Sequence, residues 1–168
     1  MTVVRQPAVA GLFYPGDPGE LAAQLASLLD ATPSGAGGEA PKGIIAPHAG
    51  YIYSGPVAAR AYALLAPVRD RIRRIVLLGP SHRVPLLGIA TCGADCFRTP
   101  LGDVPVDREA VAAAEELPPR APAGRCPQLE HSLEVHLPFL QTVLGEFSLV
   151  PLVLGDAQPE QTAAVLER

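Results

Sequence analysis

Gly43-Ile44-Ile45-Ala46-Pro47-His48-Ala49-Gly50-Tyr51 and Arg74-Ile75-Val76-Leu77-Leu78-Gly79-Pro80-Ser81-His82 follow one plan. A short apolar run, partly β-branched, meets a proline, and a histidine stands in the loop that follows. Residues 43–46 and 74–78 each read as a buried strand. In an open α/β sheet, ligands bind in the crevice beyond the carboxyl ends of the strands. Two imidazoles at two such ends point at one crevice, which makes His48 and His82 the first site candidates.

The remaining chain extends this pattern. Asp17-Pro18-Gly19-Glu20 supplies a cap, a first-turn proline and an acidic third position, so a helix is expected to start there, with Leu21, Leu25, Leu28 and Leu29 as its apolar stripe. Residues 48–55 read as a loop, followed by a helix from about Pro56 that leads into strand 74–78. A β-loop-α-β unit of this kind predicts a right-handed crossover and a parallel pair. Residues 88–92 and 147–154 read as further strands, and prolines keep 97–106 extended or turned. Asp107 can cap a short helix to Leu117, residues 118–127 read as a loop, and 130–144 read as helical with a break at Pro138. Another helix is expected from Gln158. The expectation is a single α/β domain over residues 1–168: a mostly parallel sheet with flanking helices. The last helical pattern runs to Arg168 with no terminating signal, so the unit is expected to be truncated.

Composition narrows the function classes. The chain has 168 residues, 48% hydrophobic and 18% charged, which suits a packed core rather than disorder. A net charge of −4 with no basic run disfavours nucleic acid and anionic membrane surfaces as partners. No apolar stretch approaches the roughly 20 residues of a membrane span, and the N-terminus lacks a signal-peptide pattern. Cys92, Cys96 and Cys126 have no framework spacing and read as reduced thiols, so a cytoplasmic location is expected.

The chemistry rests on imidazoles. Neutral histidine is the usual ligand for zinc, iron and copper, and a mononuclear site normally takes three protein ligands. His48 and His82 supply two. Glu130-His131-Ser132-Leu133-Glu134-Val135-His136 offers more. On a helix His131 and Glu134 share a face, whereas His131 and His136 diverge by about 140°. Only one of those histidines should then reach the crevice; His131 is favoured, and His136 reads as structural. Tyr51 can donate to a substrate oxygen or simply pack, and Tyr53 and Ser54 can line the same site. Arg98 reads as solvated, and Cys92 and Cys96 as small buried hydrophobes. Glycine-rich dinucleotide, P-loop and nucleophile-elbow motifs are absent, so no nucleotide cofactor is expected.

Taken together, Arg5-Gln6-Pro7-Ala8-Val9-Ala10-Gly11-Leu12-Phe13-Tyr14-Pro15, Ile44 to Tyr51, Leu77 to His82, Arg98-Thr99-Pro100-Leu101-Gly102, Glu130 to Pro138 and Val150 to Gly155 resemble the Memo family, also called AmmeMemoRadiSam system protein B. The resemblance implies a fold akin to the extradiol (class III) ring-cleaving dioxygenases. It also implies a non-haem metal, iron or copper, held at the positions of His48 and His82. Family members are described both as redox-active metalloproteins and as modules that dock phosphopeptides, and the resemblance implies a genomic association of bacterial members with radical-SAM and AMMECR-type proteins, with no settled reaction. This sequence departs from the pattern in lacking a Ser-Ser-Asp-x-x-His segment and a later cysteine. The metal shell is therefore expected to be incomplete unless a second polypeptide supplies the rest. The leading expectation is a metal-dependent oxidoreductase type of site, with His131, Glu134 and Tyr51 as its catalytic candidates. The rival is a binding module that docks a peptide or partner protein in the same pocket.

Overall fold

The computed structural model describes residues 2–32, 41–116 and 130–167. Element order is β1 (Val4–Arg5), α1 (Pro18–Asp30), α2 (Tyr51–Ala63), β2 (Arg74–Pro80), β3 (Ile89–Thr91), β4 (Cys96–Thr99), β5 (Gly102–Pro105), α3 (Arg108–Glu115), α4 (Leu137–Leu144), β6 (Ser148–Leu154) and α5 (Pro159–Leu166). The class is α/β with flanking helices, but the sheet is not the single, mostly parallel one expected. Two three-stranded sheets form, in the orders β1-β4-β5 and β2-β6-β3. Each combines one parallel pair (β1 with β4, β2 with β6) and one antiparallel pair (β4 with β5, β3 with β6). A bridge from Val106 to Leu149 joins them.

The mixture has a local cause. Thr99-Pro100-Leu101-Gly102 turns too tightly for a crossover: Thr99 Oγ1 takes the Leu101 N–H, and Gly102 sits at φ 123°. Only an antiparallel hairpin can close over so short a turn. β6, by contrast, is apolar along its length and buried through Leu149, Val150, Leu152 and Val153, as a central strand must be.

Three expected elements differ. Residues 43–46 join no ladder, and Ile45 is fully exposed. A cavity of about 260 Å³ separates them from β2, lined by Ile44, Ile45 and Ala46 on one side and Val76, Leu77 and Leu78 on the other. β2 pairs with β6, 74 residues on in register, and its other edge carries no ladder among the described residues. α2 starts at Tyr51, five residues before Pro56. Gly50 caps it, the Phe13 carbonyl accepts the Tyr51 N–H at 2.7 Å, and the Ser54 hydroxyl donates to the Ala49 carbonyl at 2.8 Å. These bonds satisfy the first turn well enough that the proline is carried inside the helix. Finally, residues 130–136 are a turn and a short 3-10 helix (Glu134–His136), and regular helix begins only at Leu137. Pro138 suits a first helical turn and costs a hydrogen bond in an interior one, which favours a start at Leu137. The loop expected at 118–127 lies outside the described residues.

α1 behaves as its sequence requires. The Asp17 carboxylate accepts the Gly19 and Glu20 N–H groups at 2.8 and 2.9 Å. Leu21 and Leu25 are completely buried, each stabilising the fold by roughly 1.5–3 kcal/mol. α1 packs on α2 and α4, and Leu28 comes so close to Gly55 that a Cβ there would lie 2.9 Å from its Cδ1. No helix among the described residues is long and apolar enough to cross a membrane.

Past the end of β6, the Gly155 N–H donates to the Gly88 carbonyl and the Asp156 N–H to that of Leu86, at 2.9 and 2.8 Å. A Cβ on Gly155 would land on the Leu86 carbonyl, whereas one on Gly43 would meet nothing within 4 Å. Gly155→Ala should therefore lower the urea-unfolding free energy by roughly 1–3 kcal/mol, as overpacking against backbone does, and Gly43→Ala should leave it unchanged. Equal effects of the two substitutions would refute the close approach.

Candidate metal centre

β2 delivers one histidine. Beyond Pro80 the Ser81 N–H still reaches the Leu154 carbonyl of β6 at 2.7 Å, so His82 leaves the sheet from a fixed point. The segment 130–133 crosses directly over this exit. A Cβ on Gly79 would lie 2.7 Å from Ser132 Oγ and 2.9 Å from Leu133 Cδ2, so the crossing needs a residue without a side chain. The Ser132 hydroxyl donates to the Pro80 carbonyl at 2.8 Å.

Glu130 locks the crossing. Its side chain has no exposed surface, yet it is surrounded by donors. Oε2 accepts the His82 backbone N–H at 2.6 Å; Oε1 lies 3.0 Å from His82 Nδ1 and accepts the His131 and Ser132 N–H groups at 3.0 Å each. Burial works to raise the Glu130 pKa, but the bonds from His82 and Ser132 outweigh it and hold the carboxyl down at about 2. An ionised carboxylate can only accept, so His82 presents Nδ1–H to it and turns Nε2 the other way. Nε2 faces His48: the two Nε2 atoms are 3.4 Å apart.

The other two histidines join this pair. Ring centroids lie 5.1 Å apart for His48–His82, 4.8 Å for His82–His131, 6.1 Å for His48–His131 and 6.4 Å for His48–His136. All four histidines of the chain therefore meet in one cluster. The expectation that only one of His131 and His136 approaches it is corrected: their five-residue separation spans a turn and a 3-10 helix, so the α-helical divergence does not apply. His136 is buried and its Nδ1 lies 2.6 Å from the Tyr62 hydroxyl. His131 packs edge-on to Phe13, and its buried Nδ1 has no hydrogen-bond partner, standing 3.7 Å from Glu130 Oε1.

Glu134 and Tyr51 are placed beneath the histidines, with their polar atoms occupied. The Glu134 carboxylate accepts the Ala8 and Val9 N–H groups and the Tyr14 hydroxyl at 2.7, 2.9 and 2.7 Å, which pins the irregular N-terminal segment to the core. The Tyr51 hydroxyl donates to the Val135 carbonyl at 2.7 Å. Burial pushes the phenols of Tyr14, Tyr51 and Tyr62 above their ordinary range, with Glu134 adding to the effect at Tyr14 and Tyr51. Tyr53 is exposed, and Ser54 serves the start of α2. Arg98 is held by Asp103 through two bonds of 2.7 and 2.8 Å, while Cys92 and Cys96 are buried. Cys126 lies outside the described residues. Glu130 was visible in the sequence only as an acidic neighbour of His131; nothing in its spacing points to the orientation of His82, which depends on a contact 48 residues away.

The donor set fits a metal ion. Two nitrogens each about 2.1 Å from one ion at a near-tetrahedral angle stand about 3.4 Å apart, the separation that His48 and His82 show. Ligand atoms of His82, Glu130 and His131 also lie within 4.8 Å of one another, a second overlapping group able to hold a cation. Burial lowers the pKa of His48 and His131, with neighbouring histidines adding to the effect, so both favour the neutral form that ligation needs.

Residues 5–167 match the sequence model of the Memo-like protein family. The MEMO1 family protein of Thermotoga neapolitana is 39% identical over 167 residues, covering 94% of this chain and 60% of that protein. The MEMO1 family protein of Archaeoglobus fulgidus is 39% identical over 160 residues, covering 95% of this chain and 57% of its own length. Protein MEMO1 of Danio rerio is 38% identical over 158 residues, with 91% of this chain and 52% of that protein covered. The chain belongs to the Memo-like family and spans between half and two thirds of the length of these relatives.

His136 gives the cluster a pH signature. Burial, with His48 adding to it, lowers its pKa from 6.5 to about 4. Between those values the unfolded chain binds a proton that the folded chain refuses, so stability rises with pH across the window and is lost as pH falls from 6.5 towards 4. The loss should approach about 3 kcal/mol at the lower end. Urea titrations of metal-free protein should show this slope, and His136→Gln should reduce it, leaving the part that His48 and His131 contribute. An unchanged slope in the variant would mean that His136 is not buried in its neutral form.

Proposed function

We propose that this chain carries the histidine half of a non-haem metal centre that serves redox chemistry. The single observation behind the reading is the facing pair of Nε2 atoms, 3.4 Å apart, with His82 fixed from behind by a buried carboxylate. Carboxylate-backed histidine is the arrangement by which proteins orient and strengthen an imidazole ligand. His48 and His82 hold the ion, iron or copper, and Glu130 sets the tautomer of His82. The bound ion supplies one-electron and oxygen chemistry through its open positions.

The chain's own residues prepare that site. His131 stacks on His82 with an interplanar angle of 24° and is the group placed to hold or pass a proton beside the pair. Glu134 and Tyr51 act by position: they tie the N-terminal segment and the 3-10 turn to α2, and so fix where His131 and His48 stand. A third ligand comes from the further length that the longer relatives possess, whether joined to this unit or supplied by a second polypeptide. Association with radical-SAM and AMMECR-type proteins belongs to the same reading. So do a dioxygenase-like fold, a single domain over residues 1–168 and a cytoplasmic location.

One observation favours docking as a second reading. Ile45, Ile52 and Tyr53, on either side of His48 in sequence, are 100%, 81% and 82% exposed, and Leu12 beside Phe13 is 80% exposed. Such side chains suit a peptide or partner surface.

Metal content separates the two. Protein loaded with ferrous or cupric ion and then desalted should retain close to one ion per chain, and the His48→Ala/His82→Ala double variant should retain none. Glu130→Gln turns an amide NH2 group towards donors that the carboxylate now accepts, so it should lower thermal stability as well as weaken metal binding by about 10- to 100-fold. Equal, negligible metal in wild type and double variant would remove the metal reading and leave docking.

A further inference from the structure

We propose that the slot between residues 43–46 and β2 is the seat of one further β-strand, supplied by the length that the longer relatives carry outside the part matched here. The backbone carries the inference. Among the described residues, β2 is laddered on one side alone, by β6. Strand residues alternate the side to which their N–H and C=O groups point, so part of the backbone of 75–79 faces away from β6 with no ladder to receive it. Across the slot, Gly43, Ile44, Ile45 and Ala46 form no backbone hydrogen bond with any described residue. The side chains agree. Residues 75–79 contain no charge and no proline, two devices that keep an edge strand from pairing, and Val76 is 43% exposed.

A strand laid in the slot takes ladder bonds from both walls and covers the cavity that Tyr62 and His136 also line. This is recognition by strand addition: main-chain bonds hold the occupant, and apolar walls select an apolar one. Both walls lie inside the stretch 5–167 that matches the family, so the relatives possess the walls together with the additional chain. This chain covers 60% of the Thermotoga neapolitana protein, and the remainder far exceeds the five or six residues of an ordinary strand. A second copy of the chain fits less well. Its β1, β3 and β5 run to two, three and four residues, and its β2 lies behind its own residues 43–46. Nothing in this pairing needs a metal, so it stands or falls apart from the metal reading above.

The test uses the whole chain, metal-free, co-expressed with the unmatched part of the Thermotoga neapolitana protein as a separate tagged polypeptide. Amide hydrogen exchange is read by mass spectrometry. The two polypeptides should co-purify, and the amides of 43–46 and 75–79 should exchange roughly tenfold more slowly than in the chain alone. Ala46→Trp, which fills the slot, and Val76→Lys, which charges one wall, should each abolish co-purification. Val3→Lys, exposed but outside the slot, should not. Val76 and Val3 are both exposed, so these two variants alone should melt with the parent. No complex, a complex in which the two runs exchange as before, or one that survives both slot substitutions would overturn the proposal. Slow exchange of both runs in the chain alone would do so too. If that protection grew with protein concentration, a second copy would be the occupant; if it did not, the two walls would pair directly.

Discussion

One buried carboxylate organises this molecule. Glu130 brings a negative charge into a place without water, and an unpaired charge there would cost several kcal/mol. The fold meets that demand with donors from two distant stretches: the backbone and ring of His82 after β2, and the N–H groups of His131 and Ser132. The same bonds therefore close the chain over the end of β2 and orient the imidazole of His82. Fold and site are not separable here. A change that released Glu130 would loosen the crossing at Gly79 and free His82 to rotate at the same time.

Glu134, four residues on, repeats the device for a different purpose. It too is buried, and it too collects backbone N–H groups, from Ala8 and Val9. Its donors come from the irregular proline- and glycine-rich segment that has no ladder of its own beyond the two residues of β1. The segment is thus built onto the core by a side chain rather than by secondary structure, and the Tyr14 hydroxyl completes the set. Two carboxylates on one short turn hold the N-terminal segment below and the histidine exit above. This explains why the stretch 130–136 stays a tight turn: a regular helix would satisfy its own backbone but point these two side chains along one face.

Much of this was legible in the sequence. The caps at Asp17 and Asp107, the apolar stripe of α1 and the strands β2 and β6 follow from local chemistry; His48 and His82 do meet, but residues 43–46 before His48 join no ladder, so His48 is not placed by a strand end as expected. What was not legible depends on partners far along the chain. Residues 43–46 have the composition of a buried strand, but a strand exists only where a neighbour's ladder is open to it, and no local signal says whether it is. The early start of α2 depends on the Phe13 carbonyl, 38 residues away from Tyr51 in sequence. The role of Glu130 is of the same kind. A periodicity argument placed His131 and His136 on diverging faces because it assumed a helix that Pro138 disfavours so far back.

Four imidazoles in one cluster are themselves an argument. Protonated together they would repel across 5–6 Å, and burial already lowers the pKa of His48, His131 and His136. Packing alone does not call for this: an apolar side chain would fill the same space without the desolvation cost of the ring nitrogens. Hydrogen bonding accounts for His136, through Tyr62, and for one nitrogen of His82, through Glu130. It leaves His131 Nδ1 with no partner and the Nε2 atoms of His48 and His82 facing each other, where at most one proton fits between two acceptors. Lone pairs gathered in this way are unfavourable neighbours until an electrophile stands among them. On the metal reading proposed above, a cation would take the place of that shared proton and add stability, as ligand binding to a folded state does generally.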